Sequence, residues 1–152
     1  MEKNDLLKYR EFHWNYFSLH ADQRLKTFNF YLVVSAVLIA AIVNILDGDK
    51  KLTLACILPY LLSLISFIFW KLDVRTKYMI KNSEEALKYI DDKLIQSEGE
   101  TPSVLNIFRY DDFISKTRKK GFIKGYLSYS KSFNIIFLLF GLLGFVIGTF
   151  YL

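Results

Sequence analysis

The sequence predicts an all-α integral membrane protein. Three transmembrane helices carry helical cytoplasmic extensions, an organisation suited to a homo-oligomer. Three observations lead there. Residues 28–46, 52–70 and 133–152 are charge-free apolar runs of 19, 19 and 20 residues. As helices at ~1.5 Å per residue they reach about 28–30 Å, close to the ~30 Å hydrocarbon thickness of a bilayer. In lipid each backbone N–H and C=O must be satisfied within its own segment, so an isolated apolar run forms a helix. The basic residues are also unevenly placed: five Lys/Arg precede the first run, two follow it, and thirteen lie between the second and third. The positive-inside rule then places residues 1–27 and 71–132 in the cytoplasm. Finally, helical periodicity continues beyond the apolar runs without glycine or proline to stop it.

Composition agrees. The chain has 152 residues, one domain's length, and 53% of them are hydrophobic. The polar remainder is too small and too charged for a large core of its own, so the chain reads as one membrane domain over residues 1–152. Fourteen Phe and ten Tyr suit rings placed at both membrane interfaces. Cys56 is the single cysteine and lies in the second run, which excludes an intramolecular disulfide and a cysteine zinc site. No cleavable signal peptide is visible in the first 27 residues.

In chain order, Asn4 or Asp5 can cap a first helix of about 40 residues. Leu6, Tyr9, His13, Tyr16 and His20 form one stripe on it, and Trp14, Phe17, Ala21 and Phe28 another. The Asp47-Gly48-Asp49-Lys50-Lys51 tip is placed outside the membrane. The second span contains Pro59, which removes one helical hydrogen bond and can kink the helix. Beyond Trp70 the pattern Leu72, Met79, Ile80, Ala86, Leu87, Ile90, Leu94 extends this helix to about Ser97, before Gly99 and Pro102 end it. Both cytoplasmic extensions carry an apolar stripe and are expected to pack together. Residues 103–118 suggest a short amphipathic helix, followed by a basic cluster of Lys116, Arg118, Lys119, Lys120 and Lys124. The third span then leads to a carboxyl end expected outside the membrane. Trp14 and Trp70 are candidate interfacial anchors.

Few residues suggest chemistry. His13, Tyr16, His20 and Arg24 lie near one helix face, but no carboxylate or cysteine completes a metal set, and no cofactor motif is present. Helix–helix contact is their plainer role, with Arg10 or Arg24 open to a phosphate. Gly144 and Gly148 form a GxxxG pair, a packing seam within or between subunits. Asn29, Val33, Ala36, Ala40 and Asn44 in the first span, with Ser63 and Ser66 in the second, form the most polar faces of these helices: a pore lining or a packing seam. No span contains an ionisable residue, which argues against a proton relay or a charged selectivity ring. The basic cluster suits anionic lipid head groups or a polyanion such as an oligonucleotide. Motifs for nucleotide hydrolases, serine hydrolases and dinucleotide enzymes are missing. So is the Arg–His spacing of HEPN-type ribonucleases, since Arg10 precedes His13 by three positions and His20 by ten. The chain does not read as an enzyme.

Two stretches carry a resemblance. Trp14-Asn15-Tyr16-Phe17-Ser18-Leu19-His20-Ala21-Asp22-Gln23-Arg24 and Phe69-Trp70-Lys71-Leu72-Asp73-Val74-Arg75-Thr76-Lys77 together resemble small bacterial membrane proteins encoded beside phage-defence genes. The nearest type is the membrane effector of Hailong-like systems, in which a nucleotidyltransferase product holds a small oligomeric channel silent. The resemblance covers roughly residues 14–87. It implies a homo-oligomeric ion channel in the bacterial inner membrane, a tetramer by preference, gated by a single-stranded oligonucleotide or nucleotide made by a partner synthase. The expected ligand contacts are Arg10, His20, Arg24, Lys77, Lys119 and Lys120. The alternative is a non-conducting membrane anchor that recruits a cytoplasmic partner through residues 71–132.

Overall fold

The computed structural model describes residues 3–47, 52–98, 106–117 and 128–152, and every regular element among them is helical. Helix α1 spans Lys3–Leu46, α2 Leu52–Glu98, α3 Ile107–Thr117 and α4 Tyr129–Phe150. The two long helices run 44 and 47 residues without interruption; α1 has no internal glycine or proline, and α2 continues through Pro59. α1 begins at Lys3, ahead of the Asn4 or Asp5 cap expected for it. α4 begins a turn before its apolar run, at Tyr129. Three helices, α1, α2 and α4, are long and apolar enough to cross a membrane. Of the expected 47–51 tip only Asp47 is described, its N–H bonded to the Val43 carbonyl at 3.0 Å.

The chain divides into two compact units. The first comprises residues 1–22 and 76–127, the second residues 23–75 and 128–152. The second holds the apolar runs. Its core is aromatic: Phe28, Tyr31, Phe133 and Phe137 are buried, with Leu32, Ile65, Phe69, Ile136 and Phe140 packed around them. Phe28 stacks on Phe133, centroids 3.7 Å apart. Tyr31 is fully buried, with its hydroxyl 2.8 Å from Ser66 Oγ. Ser66 gives its own hydrogen to the Leu62 carbonyl at 2.8 Å, so Tyr31 is the donor between the two.

The glycines of α4 face α2 of the same subunit. A Cβ at Gly144 would lie 2.5 Å from the Pro59 carbonyl oxygen and 3.0 Å from Ser63 N. One at Gly148 would meet the Tyr60 ring at 3.1 Å. The GxxxG pair is therefore an intrasubunit seam, where the missing side chains let two backbones touch. Outside this core the unit exposes Phe30, Val37, Ile57, Leu64, Leu139 and Val146, a surface for lipid or other apolar partners.

The first unit contains the amino-terminal half of α1, the carboxyl-terminal half of α2, and α3. Leu6, Leu87 and Ile90 are buried there. The expected packing of the two extensions is seen where Arg10 Nε donates to Asp91 Oδ1 at 2.6 Å. Asn106 caps α3: its Oδ1 accepts the Arg109 N–H at 3.4 Å while its Nδ2 donates to Asp92 at 2.9 Å. Phe108 packs edge-on to Phe17 at 5.3 Å, and Trp14 stacks on Phe17 at 5.8 Å. Trp14 is half exposed, with its ring 6.4 Å from that of Phe108 on α3. Trp70 is partly exposed, with the Lys71 ammonium 5.0 Å from its ring.

The seam sets a graded test. Gly144→Ala forces a methyl against backbone and lowers stability by about 1–3 kcal/mol, the usual range for overpacking. Gly141→Ala meets only Ser66 Cβ at 3.5 Å, an ordinary contact, and leaves stability within about 0.5 kcal/mol. Thermal unfolding of both variants in one detergent compares them.

Candidate functional site

The strongest polar feature of the membrane-spanning unit joins all three of its helices. Arg24 on α1 donates Nε to Asp73 Oδ1 at 2.7 Å and Nη2 to Oδ2 at 3.0 Å, a bidentate pair. The same Nη2 reaches Ser130 Oγ on α4 at 3.1 Å. The guanidinium also lies 5.1 Å from the centre of the Phe133 ring. Both partners are largely withdrawn from solvent, with side-chain exposures of 12% and 6%. Each stands a few residues from an apolar run, where a charge is tolerated only if paired. Arg24 was expected to contact a ligand; the structure turns its Nε and Nη2 inward, onto Asp73 and Ser130. Asp73 was missed, although it is the one acid among Lys71, Arg75 and Lys77.

Three of the other expected ligand residues are described. Arg10 is half exposed and bound to Asp91. His20 lies edge-on to Tyr16 at 4.2 Å. Lys77 is exposed on α2. Lys119 and Lys120, with the rest of the basic stretch 118–124, lie outside the described residues. Among the described residues no group of three or more His, Cys, Asp or Glu is placed to hold a metal ion.

Sequence reasoning also missed Lys88. Its ammonium is buried and meets Asp112 Oδ2 at 2.6 Å, Glu84 Oε1 at 2.7 Å and Glu85 Oε1 at 3.2 Å. Burial opposes its charge, but the hydrogen bonds it donates to Asp112, Glu84 and Glu85 outweigh burial and hold its pKa above the usual 10.5. Arg109 pairs with Asp92, which likewise favours the charged guanidinium. Lys88–Asp112 and Arg109–Asp92 fasten α3 to α2. The signal for Lys88 was faint: acids three and four positions before it on the helix.

The seven residues read as pore lining or seam divide. Ser66 is buried and Ser63 half-buried against α4, so they belong to the intrasubunit seam. Asn29, Val33, Ala36, Ala40 and Asn44 are all exposed. Neither asparagine hydrogen-bonds within the subunit among the described residues. Beside the seam, α2 and α4 enclose a groove of about 500 Å³ lined by Ser63, Ser66, Trp70, Asn134, Gly141 and Phe145, among others.

Three membrane-length helices, an aromatic core, and a helix face left exposed among the described residues define a multi-pass α-helical membrane protein. The chain belongs to the octameric membrane protein family, 8xMP, whose model matches residues 8–152. It is 36% identical over 132 residues to CD-NTase-associated protein 19 of Escherichia coli, an alignment covering 86% of this chain and 82% of the relative. No solved structure matches it significantly. The family description speaks of eight subunits where the sequence reading favoured four.

Two predictions follow from these ionic contacts. Asp73→Ala leaves Arg24 buried and unpaired and lowers stability by about 3–5 kcal/mol, whereas the double variant Arg24→Met/Asp73→Leu recovers most of it, read by unfolding in detergent. For Lys88, a pKa raised on folding means that its stabilisation is complete below 10.5 and is lost only as pH rises through the higher folded value. Lys88→Met therefore lowers the unfolding midpoint by the same amount at about pH 7 and about pH 9.

Proposed function

We propose that this chain is the membrane-permeabilising effector of a CD-NTase-associated anti-phage system of the bacterial inner membrane. Copies of it assemble, eight rather than four, into an ion-conducting ring. The observation that carries the reading is the outward face of α1. Asn29 and Asn44 lie in a charge-free apolar run with no hydrogen-bond partner among the described residues of the subunit. An amide left unpaired in hydrocarbon costs several kcal/mol, so each needs water or a polar group of another copy. Assembly supplies either one.

Residues 1–22 and 76–127 face the cytoplasm in this reading, with the carboxyl end outside, and sense the signal. Arg10, His20, Lys77, Lys119 and Lys120 provide cationic contacts for a single-stranded oligonucleotide or nucleotide from the partner synthase, the cations on phosphate and neighbouring rings on bases. Arg24 acts as a helix clamp. The ligand gates by binding the closed and open arrangements unequally, since only differential affinity shifts such an equilibrium.

The test is dye release from vesicles holding the purified protein, with short oligonucleotides and cyclic nucleotides added in turn. At least one ligand changes the release rate tenfold or more, and Lys119→Glu/Lys120→Glu abolishes that response. Vesicles that stay sealed under every condition would instead support the anchor reading, for which the exposed Ile107 and Phe113 of α3 offer a partner surface.

A further inference from the structure

A closed ring of more than two copies needs two different faces on each subunit, because a face that meets its own copy closes at a dimer. The exposed α1 face is one of them. At about 100° per residue it points roughly opposite to Phe28, Tyr31, Ser35 and Ile42, the buried residues of the same helix. The second face must satisfy a constraint of depth. Copies inserted alike in a bilayer are related by rotation about the membrane normal, which leaves every residue at its own level. Only residues of equal depth can therefore meet across a ring contact.

The structure fixes those depths. Arg24 reaches Ser130, Phe28 stacks on Phe133, and Tyr31 packs on Phe137 at 4.7 Å. The partners advance together, so α1 and α4 run the same way, at an offset of 105 positions set by the Phe28–Phe133 stack. That offset carries Asn29, Val33, Ala36, Ala40 and Asn44 onto Asn134, Leu138, Gly141, Phe145 and Thr149. Gly141 is half-buried, and the other four of these α4 residues are exposed. The two rows share one spacing and one polarity pattern: a polar residue at each end, apolar or small ones between. Small meets large where Ala40 faces Phe145, and Ala36 faces Gly141 where backbones can approach closely. Asn134, Leu138, Gly141 and Phe145 also form one wall of the groove beside α2, a concave seat.

We propose that the Asn29–Asn44 face of α1 docks along α4 of the next copy of this chain. This rests on the reading of the chain as a ring of identical subunits, and it makes that face a seam between subunits. Asn29 and Asn134 exchange amide hydrogen bonds near one end. At the other, Asn44 Nδ2 donates to Thr149 Oγ1, whose own hydrogen is directed to the Phe145 or Val146 carbonyl at 3.0 or 2.9 Å.

Disulfide trapping in native membranes tests it. The background is Cys56→Ser, which retains a donor for the Tyr151 carbonyl that Cys56 contacts. Chains carrying Asn29→Cys and chains carrying Asn134→Cys, with tags of different size, are expressed separately and together. The same is done with Asn44→Cys and Thr149→Cys. Oxidation is expected to give a dimer of one chain of each kind, at least tenfold more abundant in the mixture than in either single expression. The mismatched pair Asn29→Cys with Thr149→Cys stays uncrosslinked. Dimers from Asn29→Cys alone would overturn the proposal by placing α1 against α1. So would a mixture that runs as an octamer by native mass spectrometry yet does not crosslink, which leaves the ring standing and removes this seam. A chain that is monomeric by the same measurement overturns both.

Discussion

Arg24 and Asp73 hold together the level at which α1 and α2 enter their apolar stretches. A salt bridge this withdrawn from water is not a source of much net stability, because desolvating both charges offsets most of their attraction. What it supplies is a register. The fork of a guanidinium accepts a carboxylate in one orientation, so pairing fixes the rotation and the height of both helices at once. Ser130 and the Phe133 ring bring α4 to the same point. Above it the remaining contacts fall into line: Phe28 on Phe133, Tyr31 on Ser66, Gly144 on Pro59. A slip of one residue would turn Tyr31 toward lipid with its hydroxyl unpaired.

Much of this was legible in the sequence, for a physical reason. Hydrocarbon imposes length and charge limits that show in one dimension, so the three spans and their long extensions could be read directly. Which side of a helix meets which neighbour is not written that way. The GxxxG pair announced a close approach, but only the coordinates give α2 of the same subunit as its partner. Arg24 read alone suggests a phosphate contact, because its neutralising acid lies 49 positions away in the chain. Lys88 was similarly opaque, since Asp112 arrives from another helix. Trp14 suggested a membrane interface because aromatic rings favour it; its contact with Phe108 of α3 could not be read from the sequence. The basic stretch holding Lys119 and Lys120 was legible only as charge.

The two stretches that resemble defence-associated membrane proteins carry, between them, Arg24 and Asp73. In the fold these two charged residues bring α1 and α2 together. Among the described residues, Asn29 and Asn44 of α1 and Asn134 of α4 make no hydrogen bond within the subunit, and Ser35 Oγ is buried without one.

The Arg24–Asp73–Ser130 contact also has an order in time. Chains are made from the amino end, so α1 and α2 can pair as soon as Asp73 has entered the membrane. Ser130 lies 57 residues further on. At synthesis rates of about 5–20 residues per second, roughly 3–11 s separate the two events. Through that interval Phe28 and Tyr31 lack their α4 partners, and the bare backbone at Pro59 awaits Gly144. The newborn hairpin is a half-built subunit with an open aromatic flank, and the last span to be made is the one that seals it.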